Sequence, residues 1–140
     1  MALKNAYSKI NISDLFGNLQ KTLVKHGARQ ITFDYGADGK VYGVYFTIPL
    51  QARMLNVKLP ARIDKVRKVL REQGFRYDDE QIYRVAWRNV HDWVVAQMTL
   101  LETEAVVLEE IFLPYIVNQK GQTYFEVMEN RQFELPSGEE

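Results

Sequence analysis

Two histidines, eighteen Asp and Glu side chains and no cysteine are what this 140-residue chain offers for metal binding or acid–base work, and their spacing builds none of the usual devices. Neither His26 nor His91 has a histidine or carboxylate four residues away, the spacing that puts two metal ligands on one helix face. His26 is expected at the C-terminal end of a helix, where a cation favours the dipole, and His91 off the apolar stripe of a later one. Glu109 and Glu110 are adjacent acids of the kind that can hold magnesium or move a proton. On a helix, neighbouring residues point about 100° apart, and negative charge near a helix start is favoured by the dipole alone. A nuclease strand of the Asp…Glu-x-Lys type would carry an acid where this chain has Asn56 before Lys58. Gly36, Gly39 and Gly43 match neither phosphate-binding nor dinucleotide spacing, and a hairpin accounts for them. The expectation is a non-enzymatic protein with no catalytic residue, metal or cofactor.

The basic residues say more. Net charge is zero, yet residues 1–52 hold six Lys/Arg and three Asp/Glu, residues 53–76 eight and two, and residues 77–140 four and thirteen, or +3, +6 and −9. Such a split means either two surfaces of opposite sign or parts of the chain that attract one another in the fold. In a helix over about 62–73, Arg62, Lys65, Arg67, Lys68 and Arg71 fan across the side opposite Ile63, Val66 and Leu70. Lys58 and Arg53 would extend that patch from the preceding strand, and Tyr45 on the neighbouring strand offers a surface for stacking. Basic groups interleaved with an aromatic hold single-stranded nucleic acid without reading its sequence. The competing reading is a solvated helix face, in which Asp64 and Glu72 pair with Lys68 at four-residue spacing.

The elements that must carry these residues follow from apolar periodicity. Leu15, Phe16, Leu19, Leu23 and Val24 predict a first helix from Ser13, its expected N-cap, to Lys25, with Gly27 as the stop. Ile31, Phe33 and Tyr35 alternate in a strand, and Asp38-Gly39 supplies the hairpin turn into a second strand over 41–49. There Tyr42, Val44, Phe46 and Ile48 are expected on one face and Val41, Gly43, Tyr45 and Thr47 on the other. A third strand over 54–59 precedes the basic helix, which ends at Gly74. Asp78 and Asp79 open the longest helix, striped by Tyr83, Ala86, Trp87, Val90, Val94, Gln97, Met98 and Leu101, with Trp93 at the stripe's edge. A short helix is expected from Leu108 until Pro114 ends it, and Thr123 with Glu126 has the spacing of a capping box for a last helix.

Strands grouped early and helices late give an α+β class: a three-stranded antiparallel sheet packed against helices, in the order αβββααα. Length and composition, with 46% hydrophobic and 12% aromatic residues, fit one domain spanning residues 1–140 with a frayed tail from about 136 to 140. The N-terminal segment lacks the apolar core of a signal peptide, no apolar run approaches a membrane span, and the absence of cysteine suits a reducing compartment. A cytoplasmic protein is expected.

Tyr83-Arg84-Val85-Ala86-Trp87-Arg88, Asp92-Trp93-Val94-Val95-Ala96-Gln97 and Phe112-Leu113-Pro114-Tyr115, an AWR…DWVxAQ…FLPY pattern, resemble a family of small uncharacterised proteins of bacteriophages, prophages and related mobile elements. Gly121-Gln122-Thr123-Tyr124-Phe125-Glu126-Val127 resembles that family's ending. The likeness covers most of the chain loosely and residues 83–127 most specifically. Glu104 stands where a glycine is expected after the long helix. The resemblance implies a bacterial cytoplasm and a phage or prophage setting, and carries no catalytic residue. Together with the charge pattern it gives the expectation of an accessory protein binding nucleic acid weakly through Lys58, Arg62, Lys65, Arg67, Lys68 and Arg71 with Tyr45. The alternative is a module, or a homodimer, that contacts a phage or host protein.

Overall fold

Asn11 rather than Ser13 starts the first helix. In the computed structural model, which describes residues 1–138, the Asn11 side chain accepts from the Asp14 N–H and α1 runs Ile12–Lys25. Starting there lets Ile12 join Leu15, Leu19 and Leu23 on the face that meets the core. Gly27, at φ 111°, follows the C-cap His26 and lets the chain turn directly into β1.

β1 (Arg29–Tyr35), β2 (Val41–Leu50) and β3 (Arg53–Pro60) form one antiparallel sheet in sequence order. The β2–β3 ladder is regular, whereas the β1–β2 register slips twice, between Arg29 and Thr32 and between Asp34 and Tyr35. The second slip overturns the expected alternation at the start of β2. Val44, Phe46 and Ile48 are buried on the helix side as expected, but Val41 is buried too, while Tyr42 is turned out to 42% exposure and Tyr35 to 66%. A bulge costs the strand one step of its period, and every residue beyond it changes face.

The bulge leaves the Val41 backbone without regular neighbours, and the long helix satisfies it. α3 (Asp79–Glu102) is capped by Asp78, whose carboxylate accepts from the Gln81 N–H. One turn apart on its buried face, the Tyr83 hydroxyl accepts from the Val41 N–H at 2.8 Å and the Trp87 Nε1–H donates to the Val41 carbonyl at 2.9 Å. Ile82 and Val85, outside the expected stripe, are buried as well. α3 ends at Thr103, and Glu104 adopts φ 61°, filling with an L-residue the left-handed position that glycine favours.

α2 (Ile63–Glu72) packs against α3 by Ile63 and Leu70. α4 (Leu108–Ile111) runs into a 3-10 turn over Leu113–Tyr115, so Pro114 sits inside a turn rather than simply ending a helix. Ile116 bridges to Val57 and the Val117 N–H donates to the Asn56 carbonyl, which covers the outer edge of β3. The Thr123–Glu126 capping box is present in both directions and opens α5 (Tyr124–Asn130). Met128 is buried there, but Tyr124 faces outward. Residues 136–138 are exposed outside any helix or strand, and the remainder of the expected tail lies outside the described residues.

The fold is thus α+β, with the helices on one face of the sheet. Phe16 meets Phe33 and Trp87, and Phe112 meets Phe46, in a continuous aromatic core. The second face of the sheet carries exposed Thr32, Tyr45 and Asn56, and among the described residues no strand lies beside the outer edge of β1.

Candidate nucleic-acid interface

Tyr45 and Lys58 are register partners on neighbouring strands, so both side chains rise from the uncovered sheet face. The Lys58 ammonium lies 6.0 Å from the centroid of the Tyr45 ring, at the outer limit of a cation–π contact. Past Pro60, where β3 ends, the chain turns into α2 through Arg62. Arg62 holds a left-handed conformation, φ 54° and ψ 48°, and offers no side-chain cap to the helix. That geometry costs an L-residue about 1 kcal/mol. It sends the Arg62 side chain into a cleft of about 350 Å³ whose walls also carry Lys58, Lys65, Phe125, Glu126 and Glu129.

The cleft settles part of the charge asymmetry. Basic strand and helix meet acidic α5 across it, without any ion pair closing among the described residues. Glu126 is the better held of the two acids. The Thr123 N–H and hydroxyl lower its pKa, with Lys58 and Arg62 contributing.

The seven residues expected to act together are divided by the fold. Tyr45, Lys58, Arg62 and Lys65 come together. Arg67 does not join them: it is half-buried and bonds to both Asp64 and Asp79, tying α2 to α3. Burial opposes its charge, but the two carboxylates more than offset that and raise its pKa. Asp64 therefore pairs with Arg67 at three-residue spacing, and not with Lys68 as expected. Lys68 and Arg71 stand exposed with no ion pair among the described residues.

Two features carried no signal in the sequence. An apolar groove of about 360 Å³ opens between α2 and α3, lined by Leu59, Val66, Val69, Val90 and Trp93, with Arg62 and Lys65 at its mouth. It arises because the stripe of α3 is wider than the contact with α2. At the other end of α2, Tyr7 meets the Phe75 ring edge-on at 5.5 Å and Phe75 stacks on Tyr77 at 4.9 Å. Lys9, Arg76 and Arg84 lie beside Tyr7 and Tyr77 there. Residues 7 and 77 meet because the helix-to-helix turn places Tyr77 while Gln81 on α3 donates to the Ala6 and Ser8 carbonyls on either side of Tyr7.

The remaining polar groups stabilise the fold. His26 sits 2.8 Å from both the Thr22 carbonyl and the Glu102 carboxylate, linking the ends of α1 and α3, and it lowers the Glu102 pKa. His91 reaches Asn18 and Asp92. No group of three His, Asp or Glu among the described residues is placed to hold a metal ion, and no helix among them is long and apolar enough to cross a membrane. Compared with known proteins, the chain matches no family model, no curated protein and no solved structure.

Proposed function

We propose that this protein is a non-enzymatic accessory protein that holds single-stranded nucleic acid at the surface made by Tyr45, Lys58, Arg62 and Lys65, continued by Lys68. The observation that carries this reading is the Lys58 ammonium over the exposed Tyr45 ring, on an uncovered sheet face that leads into the Arg62–Lys65 cleft. An aromatic supplies a face on which any base stacks, and the cations beside it meet the phosphates. The strained Arg62 backbone fits the same purpose, because local strain concentrates at functional sites. Glu126 and Glu129 across the cleft keep the affinity weak. A phage or prophage setting is part of this proposal, and its support is the resemblance of residues 83–127.

The test is fluorescence anisotropy of labelled single-stranded DNA, duplex DNA and RNA at low and physiological salt, with a Lys65→Glu/Lys68→Glu variant. Arg67 is left intact because it joins the helices. With about four phosphate contacts, log affinity should fall with log salt at a slope near −3. Salt-sensitive binding lost in a folded variant supports the proposal, and the absence of binding at low salt sinks it.

The apolar groove between α2 and α3 favours a second reading, a module that contacts a phage or host protein or a second copy of itself. Under it, sedimentation reveals self-association that rises with concentration, or a lysate pull-down retains one protein that a Val69→Lys variant releases.

A further inference from the structure

The basic side chains of α2 that remain free fall into a single row, and Glu72 is the one acid of the helix with no ion pair among the described residues. On α2, Lys65, Lys68 and Arg71 are spaced by three, and residues i, i+3, i+6 of a helix form a continuous ridge inclined to the axis, which the left-handed Arg62 precedes. Six steps from Lys65 to Arg71 at about 1.5 Å each make the ridge about 9 Å long. At its N-terminal end stands the Tyr45–Lys58 pair. At its C-terminal end Arg71 shares a surface depression with Phe75, Arg76 and Tyr77. The next depression holds Tyr77, Tyr7, Lys9 and Arg76. Tyr7, at 69% exposure, is among the most exposed aromatic rings of the chain.

Resting on the reading above, we propose that Tyr7 and Tyr77, with Lys9 and Arg76, form a second base-stacking platform, and that one single strand runs from Tyr45 along the α2 ridge to reach it. Three of the acids near the platform are already engaged. Asp78 caps the Gln81 N–H, Asp79 holds Arg67, and Glu80 lies 3.8 Å from Lys40. Lys9, Arg71 and Arg76 have no ion pair among the described residues, so the cationic charge along the path is available to phosphates. Phe75 backs the platform by stacking on Tyr77, which leaves Tyr7 as the ring a base meets. Aromatics at both ends of a basic track give length-dependent, sequence-tolerant binding.

The experiment measures binding of labelled oligo-dT of about 16 nucleotides to the full chain and to four variants, each checked for an unchanged melting transition. Lys9→Glu/Arg76→Glu should weaken binding at least tenfold and flatten the salt slope by about 1 to 2. Tyr7→Ala should weaken it about fivefold or more with the slope unchanged, and Tyr7→Phe should keep wild-type affinity. Lys65→Glu/Lys68→Glu should lose binding as well. If only the last variant loses affinity, the second platform falls while the proposed function stands. If only the Lys9, Arg76 and Tyr7 variants lose it, the continuous track and the sheet-side reading both fall. No binding by the unaltered protein overturns both.

Discussion

Single residues decide several features here, and the backbone dihedral of Glu104 is the clearest. The resemblance implied a glycine at this position after the long helix, and the structure places Glu104 there at φ 61°. The residue is exposed and makes no hydrogen bond through its side chain among the described residues. Glu104→Gly should therefore relieve strain and raise stability by about 0.5–1 kcal/mol, after the added freedom of glycine in the unfolded chain is discounted. Urea denaturation checks this, with a higher midpoint and an unchanged slope as the expected result. Arg62 carries the same strain, but its side chain lines the cleft, so the same exchange there would confound backbone relief with loss of charge. Neither residue type announces a left-handed backbone, and what separates Arg62 from Glu104 is the cleft that the Arg62 side chain lines.

At the level of elements, periodicity located α1, the three strands, α2, α3 and α5, because each buries one apolar face and periodicity is the trace of that burial. It failed at Val41 and Tyr42. A bulge shifts the period by one residue without any change in composition, and nothing in the string Val41-Tyr42-Gly43-Val44 marks the step. The consequence is energetic. Two hydrogen bonds join α3 to the Val41 backbone at the bulged end of β2. Tyr83→Phe keeps the ring in place and leaves a buried N–H without its acceptor. It should cost about 1–3 kcal/mol, read as a lowered thermal midpoint. A Tyr83→Phe protein as stable as the parent would mean that the Val41 N–H has another acceptor. The basic ridge was likewise visible as a list of residues, but one of the two ion pairs that remove Arg67 from it is made with Asp79, which belongs to a different helix.

Across the whole molecule, Asp92 joins parts of the chain that sequence distance keeps apart. It accepts from Asn5 at 2.8 Å, lies 3.9 Å from Lys4, and bonds to Arg88 and His91 on α3. Burial would raise its pKa, but the hydrogen bonds from Asn5, His91 and Arg88 outweigh burial and lower it. A carboxyl lowered in the fold stabilises the protein fully above the ordinary aspartate range near about 4, and that contribution is lost as pH falls through the lower folded value. Asp92→Asn should be less stable than the parent by about 1–2 kcal/mol at neutral pH, and the gap should close in acid. Melting curves from pH 7 downward test it, and a gap that persists undiminished in acid contradicts the assignment. The aromatic platform at Tyr7 and Tyr77 belongs to this scale too, since the N-terminal segment that Asp92 holds is the segment that carries Tyr7. The open edge of β1 bears on the fate of many copies in one solution. An unpaired strand is a template for another chain, and proteins blunt such edges with charge and irregularity. Here Arg29 and Asp34 flank the strand, and the slip between Arg29 and Thr32, with Gln30 at φ 52°, breaks the regular row of donors and acceptors. A neighbouring molecule finds no regular row to pair with at the Arg29 end of β1, which makes that edge a poorer template than an unbroken strand.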